Sequence, residues 1–305
     1  MRIFVTGATG FIGSAIVPEL IKAGHQVLGF TRSDVGAQSL IAAGAEVHRG
    51  SLQDLESLRT GAAMSDGVIH CAFIHDFSKF QENCEIDKLA IEALGSVLAG
   101  SDRPLIVTSG TAGLAAPGQV ATEDHVLPPD SPFPRVSEQV ALSLKGVNAS
   151  VMRLPQVHNT IKQGLVTYAI AVARERGVSA YVGEGRNRWA AAHVSDVARL
   201  YRLALEKHEA GAKYHAVAEE GVAMRDVAET IGRGLKVPVV SLSPEKAAIH
   251  FGWLAVFAGL DIPASGAQTQ QRLGWRPTGP GLIADLEQMN YLEADTVAAS
   301  AARRT

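Results

Sequence analysis

The chain has 305 residues, 47% of them hydrophobic and 19% charged, enough to bury a large core in one big domain or one and a half. A formal net charge of -3 without a long basic block excludes nucleic acid as the main partner. The most apolar late stretch, Trp253 to Leu260, falls well short of the roughly 20 residues of a membrane span, and it reads as a core or pocket helix.

The first residues, Arg2-Ile3-Phe4-Val5-Thr6, form a short β-branched and aromatic run of strand type. That leaves no room for a signal peptide and gives the expectation of a soluble cytoplasmic protein. Next comes Gly7-Ala8-Thr9-Gly10-Phe11-Ile12-Gly13, and then Ile12, Ala15, Ile16, Leu20 and Ile21 recur at helical spacing through Lys22. In this strand, turn and helix context Gly7 permits the tight turn, Gly10 lets the backbone approach a pyrophosphate, and Gly13 lets helix and strand pack closely. The free amides at the helix start, from Phe11 and Ile12 onward, then hold the anion of a dinucleotide.

Further strands are expected at Gln26 to Thr31, Glu46 to Arg49, Gly67 to Ala72, Pro104 to Thr108 and Ala149 to Arg153. Helical patterns lie between them at Gly36 to Ala43, Leu55 to Ala62, Lys79 to Leu98 and Val136 to Leu144. Such alternation builds a parallel sheet covered on both faces, with ligands at the carboxyl ends of the strands. After the sixth strand the alternation weakens. A helix is expected from about Gln163 to Arg176, short strands near Ala180 to Val182 and Ala190 to Val194, and a helix at Ser195 to Leu205. A strand at Lys213 to Val217, a helix at Met224 to Leu235 and a strand at Val237 to Leu242 come next. The resulting division is a dinucleotide-binding domain over 1–160, a substrate-side lobe over 161–297 with exchange of chain between the two allowed, and a loose tail over 298–305. The two cysteines, Cys71 and Cys84, cannot make a disulfide framework and read as reduced, buried, inert thiols.

Cofactor choice turns on the residues just after the second strand. An acidic residue there would take a ribose 2′-hydroxyl, but the chain offers Thr31-Arg32-Ser33, a guanidinium and a hydroxyl suited to a 2′-phosphate. NADP is therefore favoured over NAD; the alternative has Arg32 on a solvated surface and Asp34 on the ribose.

Six segments in order resemble the short-chain dehydrogenase/reductase superfamily in its extended, NAD-dependent epimerase/dehydratase branch. They are Thr6 to Gly13, Gly50-Ser51-Leu52-Gln53-Asp54, Cys71-Ala72-Phe73, Val107-Thr108-Ser109-Gly110-Thr111, Arg153-Leu154-Pro155-Gln156-Val157-His158 and Ala192-His193-Val194-Ser195-Asp196-Val197-Ala198. The resemblance spans roughly the first two thirds of the chain. It implies an α/β fold, a Rossmann doubly wound parallel sheet with helices on both faces, and a smaller C-terminal α/β substrate lobe. It also implies Leu52 beside the adenine, Ala72 and Phe73 beside the riboses and diphosphate, and Thr108 and Pro155 near the nicotinamide. Similar proteins often pair the helices at Lys79 to Leu98 and Val136 to Leu144 in a dimer, so monomer and homodimer both stay open.

The family's chemistry uses a Ser or Thr after the fifth strand and a Tyr-x-x-x-Lys on the next helix, the lysine lowering the tyrosine's pKa and holding the ribose. Here, counted from the Thr108-Ser109-Gly110 turn, Arg135 occupies the tyrosine position and Gln139 the lysine position, and none of the five tyrosines has a lysine four residues on. Arginine stays protonated at any working pH, so Arg135 cannot donate the proton, but it can stabilise a developing oxyanion with Ser109 or Thr111 as a second donor. The structural alternative pairs Arg135 with Glu138 on the helix surface. His75, beside Asp76 after the fourth strand, and His158, after the sixth, are candidate proton carriers, each set against an ordinary role as a hydrogen-bonded loop or core residue. No zinc-like spacing and no Gly-x-Ser-x-Gly elbow is present, so neither metal nor serine-hydrolase chemistry is expected.

Three functions are compatible with these residues. The first is an NADP-dependent oxidoreductase reducing a carbonyl, or a related C=N or C=C group, of a small apolar molecule. The second is a cofactor-binding sensor without turnover, and the third a sugar-nucleotide epimerase or dehydratase. Few basic residues in 210–278 point to a nonpolar substrate, with Trp189, Trp253, Phe251, Phe257 and Tyr181 as candidate pocket walls.

Overall fold

The computed structural model describes residues 1–116, 118–128 and 134–291. β1 (Arg2–Thr6) leads through the glycine turn into α1 (Gly13–Lys22), then β2 (Gln26–Thr31), α2 (Asp34–Ala42), β3 (Glu46–Arg49), α3 (Leu55–Ala63) and β4 (Gly67–His70). α4 (Phe80–Leu98), β5 (Ser101–Gly110), α5 (Ser137–Ser143) and β6 (Val147–Leu154) complete the first half. These elements match the sequence pattern to within a few residues, because each strand carries a run of β-branched or aromatic residues and each helix an apolar stripe. β4 ends before Cys71 and Ala72, where the Ala72 N–H turns to the side chain of Thr6 (3.4 Å).

The second half is richer than the sequence pattern suggests. In order it holds β7 (Gln156–His158), α6 (Val166–Arg176), β8 (Ser179–Val182), β9 (Arg188–His193), α7 (Val194–Lys207), β10 (Lys213–His215) and β11 (Glu219–Ala223). Then come α8 (Met224–Leu235), β12 (Val239–Leu242), α9 (Pro244–Phe251), α10 (Ala255–Ala258), α11 (Ala267–Leu273) and α12 (Leu282–Gln288). The strands β7 and β11 and the helices α9, α11 and α12 have no counterpart in the sequence reading, being short and weakly periodic. The expected helix over Trp253 to Leu260 is instead a 3₁₀ turn, Gly252–Leu254, followed by the single turn α10.

Seven parallel strands form the main sheet in the order β10-β6-β5-β4-β1-β2-β3. The order reverses beside β1, between β4 and β2, and this switch point opens a crevice at the carboxyl edge directly over the glycine turn. α1 and α7 cover one face, where Ile16, Val17 and Leu20 meet Val197, Leu200, Tyr201 and Ala204. α3, α4 and α5 cover the other through Leu58, Ile91, Leu94, Leu98 and Ala141. Burying each such aliphatic side chain contributes about 1.5–3 kcal/mol, so the two faces fix the sheet and hence the crevice.

The chain crosses back over the division expected at residue 160. β10 pairs with β6 in the main sheet and α7 packs across α1, so residues 194–215 return to the first layer. The reason lies in α7, whose apolar residues Val197, Leu200, Tyr201 and Ala204 share one core cluster with Ile106, Met152 and Tyr214 of the sheet. The substrate-side lobe keeps the sheets β11-β9-β7 and β12-β8 with α6, α8, α9, α10 and α12. The expected loose tail, 298–305, lies outside the described residues.

Buried ionic contacts join the layers. Arg153, fully buried on β6, donates from Nε (2.7 Å) and Nη2 (2.5 Å) to the carboxylate of Glu138 on α5. Its Nη1 donates to Nε2 of His215 (3.0 Å), whose Nδ1–H in turn donates to the Ser265 carbonyl (2.8 Å). His215 is thus held neutral: burial and the Arg153 charge lower its pKa to about 4, against partial opposition from Glu123 and Glu138. A histidine whose folded pKa lies below its unfolded value of 6.5 stabilises the protein above that value and loses the contribution as pH falls toward about 4. Urea unfolding should therefore show a lower stability at pH 5.5 than at 7.5. The His215→Gln variant should lose about 1 kcal/mol less over that interval than the parent; an identical pH slope in both would contradict a neutral His215.

Candidate active site

The glycine turn is shaped by close approach. Gly7 has φ +68°, and a Cβ on Gly13 would sit 2.0 Å from the Gly7 carbonyl oxygen, so no side chain fits there. Gly10 N–H closes the turn onto the Gly7 carbonyl (2.9 Å). α2 and α3 are capped by the side chains of Ser33 and Asp54, whereas no side chain caps α1. Within α1 the amides of Ser14, Ala15 and Ile16 turn back to the Gly10 and Ile12 carbonyls, so it is the N–H groups of Phe11, Ile12 and Gly13 that make no hydrogen bond to a described residue, and an anion is what a helix start favours. Thr9 and Gly10 are exposed, and Phe11 and Ile12 half-buried, at the mouth of this turn. The cradle fits a dinucleotide diphosphate.

At the end of β2, Arg32 is exposed and Ser33 caps α2 by accepting from Gly36 N–H (3.1 Å). Asp34, the acidic alternative for the ribose, is ion-paired with Arg49 at the end of β3. A Cβ on Gly36 would meet Thr31, Ser33 and Thr9, so this corner abuts the glycine turn. Leu52, half-buried after β3, packs on the cluster under α3.

Beyond β4 and β5 the polar groups form one connected chain. Thr6 Oγ1 bonds to His70 Nδ1 (2.8 Å), and His70 Nε2–H donates to Asp87 Oδ1 (3.1 Å). Ser137 Oγ donates to Asp87 Oδ2 (2.5 Å) and accepts from Arg135 Nε (2.9 Å), and Arg135 Nη2 donates to the Thr108 carbonyl (3.0 Å). Thr108 Oγ1 donates to the His70 carbonyl (2.7 Å) and so accepts from Tyr201 OH (2.6 Å). Burial would push Asp87 up, but the His70 and Ser137 hydrogen bonds and the charges of His70 and Arg135 outweigh it and hold the carboxyl below its ordinary range. Arg135 also lies flat on Phe73, its guanidinium carbon 4.3 Å from the ring centroid.

Arg135 therefore stands at the crevice edge of β5, fixed on three sides. The expected surface pair with Glu138 does not form: Glu138 is buried and taken by Arg153, while Arg135 leans on Ser137 and Asp87 (4.0 Å). Of the two candidate second donors, Ser109 is half-buried and its hydroxyl makes no hydrogen bond to a described residue. Thr111 is buried, with its N–H (3.1 Å) and hydroxyl (3.5 Å) turned to the Leu154 carbonyl, so it serves the backbone. Gln139 lies exposed on α5, and Ala72 and Pro155 are half-buried at the edge of the crevice.

The histidines separate. His75 is in the loop after β4 against Phe73 and Phe77. Crowding by protein, then the charges of Arg135 and Lys162, lower its pKa, so it is neutral near pH 7 although part of the ring is exposed. His158 is fully buried and bonded through Nδ1 to Asp285 (2.6 Å), which ties β7 to α12 and removes it as a proton carrier at the crevice. Cys71 and Cys84 have thiols pushed up by burial, as inert thiols should. Among the described residues no group of three or more His, Cys, Asp or Glu is arranged for a metal, and no helix is long and apolar enough to cross a membrane.

Between the β4 loop and the substrate-side lobe stands an aromatic wall. Phe77 stacks on Trp253 with centroids 4.1 Å apart and planes 10° apart, and Tyr168 meets Trp253 edge-on at 5.0 Å. Of the aromatic residues singled out from sequence, Trp253 and Phe257 join this wall, whereas Trp189 and Phe251 are core. Tyr181 packs under Arg225 instead.

The model of the NAD dependent epimerase/dehydratase family matches residues 3–218. The chain belongs to that family. Its seven-stranded sheet and switch-point crevice are those of an NAD(P)-dependent oxidoreductase of this family. An uncharacterized protein of Schizosaccharomyces pombe is 50% identical over 295 residues, covering 95% of this chain and all of that one. A ketoreductase of Stigmatella aurantiaca, acting on 4-hydroxy-2-methyl-3-oxo-4-farnesyl-3,4-dihydroquinoline-1-oxide, is 27% identical and covers 87% of this chain and 84% of its own. The UDP-glucose 4-epimerase of Thermus thermophilus, solved with NAD, shares the fold at a TM-score of 0.73 and 20% identity, over 96% of this chain and 100% of that one.

Several groups here escaped the sequence reading, among them His70, Asp87, Ser137 and Phe77 around Arg135, and Lys162. Asp87 carried a signal, a carboxylate on the face of α4 that Cys84 and Ile91 bury, whereas Lys162 lies in an aperiodic loop and shows its place only in three dimensions. Asp87→Ala should cost about 3 kcal/mol at pH 7, since it strips a buried network of its charge. Because the folded pKa is depressed, that deficit should shrink once pH falls below about 4. Urea titration at both pH values checks this, and a neutral substitution would show that the network is not stabilising.

Proposed function

We propose that the chain is an NADP-dependent reductase of a carbonyl group, or a related C=N or C=C group, on a small apolar molecule. The observation that carries the proposal is Arg135, held beside the end of β5 by Ser137, Asp87, the Thr108 carbonyl and Phe73. When bound, the reduced dinucleotide supplies a hydride to an electrophilic carbon. Arg135 stabilises the negative charge that gathers on the substrate oxygen, with a nitrogen, Nη1, that makes no hydrogen bond to a described residue. Ser109 offers a second hydroxyl donor from the end of β5. Arg135 keeps its own proton throughout, so the oxygen takes its proton from water admitted at the open crevice. Neutral His75 is suited to orient that water rather than to act as the acid.

The glycine turn with Thr9, Phe11 and Ile12 would hold the diphosphate, Leu52 the adenine side, and Ala72, Phe73, Thr108 and Pro155 the nicotinamide half. Arg32 and Ser33 favour a 2′-phosphate, and the Arg49 partner of Asp34 weakens the competing ribose contact of an NAD site. An apolar substrate is supported by Phe77, Tyr168 and Trp253, and by the placement of Arg233 beside Glu287 and Arg272 beside Glu209, away from the crevice. The Stigmatella relative reduces a keto group on a farnesylated ring, in keeping with such a wall.

The test is NADPH consumption against a panel of aliphatic and aromatic ketones, aldehydes and imines. Turnover of at least one member is expected, with Arg135→Met lowering kcat by about 10²–10³. Arg32→Ala should weaken NADPH binding about tenfold and leave NADH unchanged. NADPH binding without turnover of any panel member would favour the sensor, and a chain that keeps NAD bound while interconverting nucleotide sugars would favour the epimerase.

A further inference from the structure

Lys162 lies in the short loop between β7 and α6 and is half-buried, with Nζ 5.7 Å from the centroid of the Phe11 ring. Phe11 belongs to the glycine turn, so an ammonium from the substrate-side segment reaches over the anion cradle. The loop that presents it is tied down. Asn159 Oδ1 accepts from the N–H groups of Ile161 and Lys162 (2.8 Å each), Asn159 N–H donates to the Lys162 carbonyl (3.0 Å), and Gln163 N–H donates to Thr167 Oγ1 (2.9 Å). The buried side chains of Gln156 and Gln163 bond back into the same loop.

Among the described residues no carboxylate pairs with Lys162. Burial alone lowers its pKa; across the crevice stand His75 and, beyond it, Arg135, whose charge faces the buried carboxylate of Asp87. A half-buried ammonium without a carboxylate partner is compensated only in part by water and by the Phe11 ring, and an anion entering beside it would compensate it further. The anion that the adjoining turn is built for is a diphosphate. Gln139, at the lysine position of α5, carries no charge to share that task.

We propose that Lys162 is the cation that closes over the diphosphate of the bound dinucleotide, supplied from the loop after β7 instead of from α5. This rests on dinucleotide binding at the glycine turn but on neither NADP preference nor turnover. Lys162 is thereby a cofactor-binding residue.

The experiment compares the wild-type protein with Lys162→Met and Lys162→Arg for binding of NADPH, NADH and ADP-ribose by calorimetry, with thermal unfolding of the unliganded proteins. Lys162→Met should weaken all three ligands by a common factor of about 10, the loss of one hydrogen bond to a charged group, and Lys162→Arg should recover most of it. The unliganded Lys162→Met protein should melt at or above the wild-type temperature, since a partly desolvated charge without a carboxylate partner is gone. Unchanged ADP-ribose affinity would overturn the proposal even if NADPH binding weakened, because Lys162 would then serve the nicotinamide half or the substrate. A fall in the unliganded melting temperature would overturn it in favour of a structural role. Wild-type protein that binds none of the three ligands would remove the dinucleotide site itself, whereas binding without catalysis would bear on the proposed reaction alone.

Discussion

Asp87 is a carboxylate that the sheet and α4 bury almost completely, and its oxygens have to be satisfied from inside the protein. His70 at the end of β4 takes one oxygen and Ser137 at the start of α5 takes the other. Those two contacts set where β4 stops, how α5 begins, and through Ser137 where Arg135 points. Thr6, at the last position of β1, is drawn into the same chain by His70, so the glycine turn and the arginine are fixed relative to one another. The crevice is consequently rigid at its polar end, which is what a site for charge stabilisation requires.

The opposite wall is built differently. Phe77, Tyr168 and Trp253 meet by stacking and edge contacts between a loop and the substrate-side lobe, with Trp253 40% exposed. These stacked and edge-on geometries are the ones aromatic rings prefer, and they hold the loop after β4 against the second lobe. Arg135 and Lys162 both place positive charge near His75.

How much of this the sequence shows depends on the range of each interaction. The glycine turn, α1 and the alternation through β6 are local patterns, and they stand in the structure within a few residues of their expected limits. Family membership is legible in the same segments. Which segments cross between the lobes was left open by the sequence, because the pairing of β10 with β6 joins residues more than sixty apart, which periodicity does not encode. The same limit applies to Glu138. Its neighbour at helical spacing was Arg135, but the partner it found is Arg153 on the adjacent strand, where both charges are buried. Thr111 and His158 look like site residues by position after a strand, yet their polar atoms are spent on Leu154 and Asp285.

The central claim is that an arginine anchored by a buried carboxylate stands where this family's tyrosine would stand, facing the reactive end of the cofactor. A crystal structure of the NADPH complex tests it most directly. The account predicts the dinucleotide over the glycine turn, with the Arg135 guanidinium still on Ser137 and the Thr108 carbonyl and its remaining nitrogen beside the nicotinamide. A nicotinamide seated with Arg135 withdrawn from β5, or a dinucleotide bound away from Gly7 to Gly13, would contradict it.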